Sequence, residues 1–103
     1  MNWPVYFTPE AQDDLFGLYD YIADRSSPAR ALRYIERIEK TCMSLQTFPD
    51  RGTRREDLRP GLRVVGFKRR VLIAFQVRSD SVAILRILYG GRSVELAFSQ
   101  DKV

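Results

Sequence analysis

Apolar residues recur along this chain with two different periods. Ala11, Leu15, Leu18 and Ile22 stand four, three and four apart, with Tyr19 beside them, and so share one face of a helix. Thr8-Pro9-Glu10 opens that helix with a capping side chain, a proline suited to the first turn and an acid that favours the helix dipole. Asp13, Asp14, Asp20 and Asp24 are expected mostly off the apolar face. Ser26-Ser27-Pro28 gives a second helix start. Ala31, Tyr34, Ile35, Ile38, Cys42, Leu45 and Phe48 then trace a second stripe, which Pro49 and Gly52 end. So few residues separate the two helices that they must fold back as an antiparallel hairpin.

The period then changes from helical to alternating. Val71, Ile73, Phe75 and Val77 alternate with Leu72, Ala74 and Gln76, the pattern of a strand with two distinct faces. Val5-Tyr6-Phe7, Leu62 to Phe67 and Val82 to Tyr89 supply three more strands. Lys68-Arg69-Arg70 and Arg78-Ser79-Asp80-Ser81 are short enough to join antiparallel neighbours. Between Asp50 and Leu62 there is no apolar period, and Arg, Gly and Pro abound, so this reads as a basic connecting loop. The prediction is an α+β domain of order β-α-α-β-β-β spanning 1–103. It comprises a four-stranded antiparallel sheet on an αα-hairpin, the second strand antiparallel to the first. In the last strand Val82, Ile84 and Leu88 are expected on one face and Ala83, Leu85, Ile87 and Tyr89 on the other, with only Arg86 interrupting. A sheet apolar on both faces needs cover on both. The segment Val94-Glu95-Leu96-Ala97-Phe98 is expected to supply part of it and a partner the rest.

Composition agrees with one small domain: 103 residues, 45% hydrophobic and 29% charged. A chain of this size buries roughly 65% of its unfolded surface, enough for two packed layers. No apolar run approaches a membrane span, and Met1-Asn2-Trp3-Pro4 does not look like a signal peptide, so a cytoplasmic protein is expected. There is no histidine, which excludes imidazole catalysis and His-based metal sites. Cys42, the single cysteine, lies mid-stripe and reads as core. No phosphate-binding or dinucleotide glycine loop occurs, and neither metal nor cofactor is expected.

Charge is uneven. Residues 1–50 carry a net −3 and residues 51–92 a net +8, and fourteen of the seventeen basic residues are arginine. Such a block points to an anionic partner, either nucleic acid or an acidic protein segment.

The second half carries a resemblance. Asp57-Leu58-Arg59-Pro60-Gly61-Leu62-Arg63 and Ile84-Leu85-Arg86-Ile87-Leu88-Tyr89-Gly90-Gly91-Arg92 are its most specific pieces. Ala11-Gln12-Asp13-Asp14-Leu15, Tyr19-Asp20-Tyr21-Ile22-Ala23 and Phe48-Pro49-Asp50-Arg51-Gly52 precede them in order. With these the chain resembles the RelE/ParE superfamily of bacterial toxins, and within it the ParE-like, plasmid-stabilisation branch. The resemblance implies a β-α-α-β-β-β fold and a ParD-like antitoxin whose acidic C-terminal segment wraps and silences the toxin. It implies DNA gyrase as the target, no catalytic residues, and no sequence-specific contact with nucleic acid. The superfamily's other branch implies an alternative, a RelE-like endonuclease that cuts ribosome-bound mRNA without metal.

Several positions can be set against those two branches. Arg63 and Arg86 are of the type that stabilises a pentavalent phosphate. Tyr89 stands where many relatives have histidine, and Ser93 where they have aspartate. No tyrosine follows Tyr89 in the last fourteen residues, which favours the gyrase branch. Tyr89 also reads as a half-buried sheet aromatic. Arg59 is expected either to pair with Glu56 or Asp57 or to meet a partner. Lys68-Arg69-Arg70 reads as a solvated turn or as a functional one. Arg86, alone in an apolar strand, needs an anion, and Arg63, Arg86 and Arg92 are expected to form one patch on the open sheet face. The partner-binding set expected is thus Arg59, Arg63, Arg70, Phe75, Arg86, Tyr89 and Arg92.

Overall fold

The computed structural model describes residues 3–98. The first strand, β1 (Val5–Phe7), runs straight into helix α1 (Pro9–Arg25). Thr8 makes that junction. Its hydroxyl oxygen accepts from the Ala11 N–H at 3.2 Å and donates to the Leu85 carbonyl at 3.1 Å, so the cap also fixes the helix start to the sheet. Helix α2 (Pro28–Met43) follows α1 after a two-residue link, capped by Ser27, whose hydroxyl accepts from the Arg30 N–H at 3.1 Å. The hairpin predicted from the two stripes is present.

A 3₁₀ turn, Ser44–Gln46, carries the buried Leu45 and completes the second stripe. Phe48, assigned to that stripe, lies outside it and is 65% exposed, because the helix has already ended at Met43.

The sheet departs from the four antiparallel strands predicted. It has five: β1, β2 (Thr53–Arg54), β3 (Leu62–Phe67), β4 (Val71–Val77) and β5 (Val82–Tyr89), in spatial order β1-β5-β4-β3-β2. Strands β2 to β5 form an antiparallel meander, and β1 joins β5 in parallel, Val5 opposite Val82 and Phe7 opposite Ile84. The helix hairpin therefore does not hand the chain back to the edge of β1. The segment after it crosses to the far side of the sheet, and the meander then returns to β1 strand by strand. Strand β2, two exposed residues long, lies inside the segment assigned to a loop; an element this short leaves no alternation to detect.

A bulge corrects the faces of β5. Phe75 pairs with Ile84 and Ala74 with Arg86, so Leu85 is one residue too many. Ile87 and Tyr89 consequently join Val82 and Ile84 on the helix side rather than Ala83 and Leu85. The main core lies there, with Ala11, Leu15, Leu18, Ile35, Ile38 and Cys42 from the helices against Ile73, Phe75, Ile84 and Ile87. Across the sheet, Leu62, Ala74, Ala83 and Leu85 form a smaller cluster under Leu58 and Phe98. A short helix, α3 (Val94–Ala97), brings Phe98 onto this face, as expected of the C-terminal segment.

Burial pushes the Cys42 thiol up to about 12, with the Glu39 carboxylate adding to the shift. It is a core residue with little thiolate at neutral pH.

Candidate functional site

Asp14, on the first helix, is buried between α1 and β5. Its two oxygens accept from Arg86 Nε at 2.7 Å and a second guanidinium nitrogen at 3.1 Å, and the Ile87 N–H donates to it at 2.8 Å. Strand β1 ends at Phe7, so beyond Ile84 the outer edge of β5 has no strand beside it. Asp14 and Thr8 supply that edge with the partners a strand would give. The Arg86 charge is held on, chiefly by the hydrogen bonds it donates to Asp14. The anion that Arg86 requires is internal.

Arg63 is engaged elsewhere, with the Asp50 carboxylate and the Arg51 carbonyl in the segment after α2. Arg92 lies beyond β5, its guanidinium 4.6 Å from the centre of the Tyr89 ring. The three arginines expected to form one patch thus meet three different partners. Phe75, expected at a partner interface, is fully buried on the helix side and has no surface to offer.

Arg59 pairs with neither Glu56 nor Asp57. Glu56 accepts from the Gly61 N–H at 3.1 Å, and Asp57 pairs with Arg55, leaving the Arg59 guanidinium 5.3 Å from the centre of the Phe98 ring. Arg55 is the clamp that sequence reasoning missed. It reaches Asp57 at 3.0 Å and Glu95 at 2.9 Å, tying α3 to the basic loop. Its hydrogen bond lowers the pKa of Asp57; Glu95 is lowered first by the Ser93 hydroxyl, then by a backbone hydrogen bond, with Arg55 adding to both.

Only one end of the sheet gathers several of the expected residues. Val71 pairs with Tyr89, so the β3–β4 turn lies beside the exit of β5. Lys68, Arg69, Arg70 and Arg92 line one groove of about 920 Å³ there, with Tyr21 and Tyr89 at its floor. Each of these four cations is exposed, and none has a carboxylate partner among the described residues. Tyr89 and Tyr21 stand 6.0 Å apart, tilted by 52°, and Gly17 lets the Tyr89 ring lie across α1. A Cβ on Gly17 would fall 2.9 Å from the Tyr89 hydroxyl. The turn itself is strained, with Lys68 and Arg69 both left-handed at φ 52° and 63°. Among the described residues no cluster of three or more His, Cys, Asp or Glu side chains is placed to hold a metal, and no helix is long and apolar enough to cross a membrane.

A second surface lies on the helix hairpin. Phe16 is 69% exposed and Leu32 51%, and both border an apolar trough floored by Leu15 and Ile35.

The fold defines a small α+β protein, an αα-hairpin on a five-stranded mixed sheet, with arginine concentrated in the second half of the chain. Comparison with known proteins gives the family. The model for the ParE toxin of the type II toxin–antitoxin system parDE matches residues 5–94, and the chain belongs to that family. Toxin ParE3 of Caulobacter vibrioides is 33% identical over 86 residues, covering 84% of this chain and 85% of the relative. A solved chain of the chromosomal ParDE toxin–antitoxin system from P. aeruginosa superposes with a TM-score of 0.74 at 27% identity, over 84% of this chain and 95% of that one.

Proposed function

We propose that this ParE-type toxin acts in the bacterial cytoplasm by inhibiting DNA gyrase and is silenced by a ParD-like antitoxin. The observation that carries the choice of target is the engagement of Arg63 and Arg86. An endonuclease on this fold would aim both at one scissile phosphate, whereas here each is held by a carboxylate of its own chain, Asp50 and Asp14. The absence of histidine from the sequence and of any tyrosine after Tyr89 supports the same reading. The toxin then works by binding rather than by chemistry.

The trough bordered by Phe16 and Leu32 suits the apolar side of an amphipathic antitoxin segment, and the acidic residues of that segment suit the arginine-rich second half of the chain rather than the trough itself. Purified toxin incubated with gyrase and plasmid should inhibit supercoiling and leave linear DNA after detergent and protease treatment, and antitoxin should abolish both effects. Unaffected gyrase, together with codon-specific cuts in ribosome-bound transcripts by toeprinting, would overturn the reading in favour of the endonuclease.

A further inference from the structure

We infer that the groove at the β3–β4 turn is a binding site for a single strand of DNA, held by its phosphates and by base stacking without sequence reading. This deepens the gyrase reading, on which it rests for the source of the strand, since gyrase opens DNA.

Three observations carry it. First, Arg55, Arg63 and Arg86 each pair with a carboxylate of their own chain and are not free for an external anion. Lys68, Arg69, Arg70 and Arg92 have no such partner among the described residues, and they share one groove. A row of unpaired, exposed cations along one channel is the footprint of a polyanion.

Second, the floor is aromatic. Tyr21 is 45% exposed, Tyr89 is half-buried, and a guanidinium lies over each ring, Arg25 at 3.8 Å and Arg92 at 4.6 Å. Ring faces interleaved with arginines hold stacked bases, whereas an acidic peptide gains little from them. Asp20 and Asp24 lie at the far side with Tyr21 and Tyr89. They repel phosphates, which confines the backbone to the turn side and leaves the uncharged bases toward the rings.

Third, the backbone is arranged for close approach. Gly90 and Gly91 are both left-handed, and an added Cβ on either would meet nothing within 4 Å, so this strip of main chain is bare. Opposite it, Lys68 and Arg69 keep long cationic side chains at positions where glycine or asparagine would be unstrained.

The test is fluorescence anisotropy of the full chain with a short fluorescein-labelled oligothymidylate, repeated across salt concentrations. Four phosphate contacts predict a roughly 50-fold loss of affinity for a fourfold rise in salt. Lys68→Glu and Arg92→Glu should each flatten that dependence and weaken binding about tenfold or more, and Tyr89→Leu should weaken it about tenfold with the salt dependence kept. Arg78→Glu, an equal charge change in the turn at the opposite end of β4, should leave affinity unchanged. Circular dichroism checks the fold of each variant, and the milder Arg92→Ala should weaken binding in the same direction. Absence of binding, or equal losses for Arg92→Glu and Arg78→Glu, would overturn the site. Competition by a polyglutamate peptide as strong as by the oligonucleotide would reassign it to an acidic protein segment. Tighter binding of oligouridylate would reassign it to RNA. The gyrase assay separates the two readings: binding without gyrase inhibition removes the target and keeps the groove, and inhibition without binding does the reverse.

Discussion

Asp14 on α1 and Arg86 on β5, 72 residues apart, form a two-point ion pair that also takes up the Ile87 N–H of the sheet edge. One carboxylate thus joins helix to sheet, closes an unpaired strand edge and neutralises the only cation inside β5. The arrangement explains why a buried aspartate stands on an otherwise apolar helix face.

Removing Asp14 strands a partly buried guanidinium and a buried N–H together. Asp14→Ala should destabilise the fold by about 3 kcal/mol in urea unfolding. Arg86→Met should also destabilise, and the double variant should lose clearly less than the sum of the two, since each change removes the same interaction. Additive losses would mean that the pair is not coupled.

Asp14 was legible in the sequence in a way its charge conceals. Positions 11, 14, 15 and 18 have the spacing of one helical face, so Asp14 belongs with Ala11, Leu15 and Leu18. An acid there and a lone arginine in an apolar strand are each other's explanation. Two further departures left less trace. The extra residue at Leu85 is apolar like its neighbours, so no break in pattern announces the bulge that moves Ile87 and Tyr89 across the sheet. The parallel seat of β1 depends on where the chain crosses after α2, a matter of tertiary packing and not of local period. The groove was half legible: Arg70, Tyr89 and Arg92 were singled out, while Tyr21 and the turn cations Lys68 and Arg69 needed the Val71–Tyr89 register to bring them together.

The Arg55 clamp predicts an acid-sensitive C-terminal segment. Asp57 and Glu95 have depressed pKa values in the fold, so their contribution is present above the ordinary carboxylate range and is lost as pH falls through the depressed values. Hydrogen exchange at residues 94–98 should accelerate in that acid window, while the helices stay protected. Arg55→Ala should give the same acceleration at neutral pH.

Cys42 gives the opposite sign at the alkaline end. Its thiol is raised from an ordinary 9.0 to about 12, so the folded state favours the protonated form. That stability is complete below about 9 and declines as pH rises toward 12. Cys42→Ala should flatten this alkaline decline at the cost of a small cavity. A thiol reagent should react with the native protein only at the rate of unfolding, and rapid native-state labelling would refute the buried assignment.

The turn at Lys68 and Arg69 sets stability against binding. Two left-handed residues that are neither glycine nor asparagine cost about 1 kcal/mol each, and the Arg70 N–H to Phe67 carbonyl bond at 3.3 Å closes the turn around them. Asn-Gly is the pair preferred where both central residues of a tight turn are left-handed, as Lys68 and Arg69 are here. The double variant Lys68→Asn, Arg69→Gly should therefore stabilise the protein by about 1–2 kcal/mol in urea unfolding, because the strain is relieved and no packed side chain is lost. The same variant removes two of the four groove cations, so its affinity for oligothymidylate should fall and the salt dependence should shrink by about half. A gain in stability with unchanged binding would place the strand elsewhere. If stability falls instead, the long side chains of the turn pack against the sheet and the strain at these two positions has a structural cause.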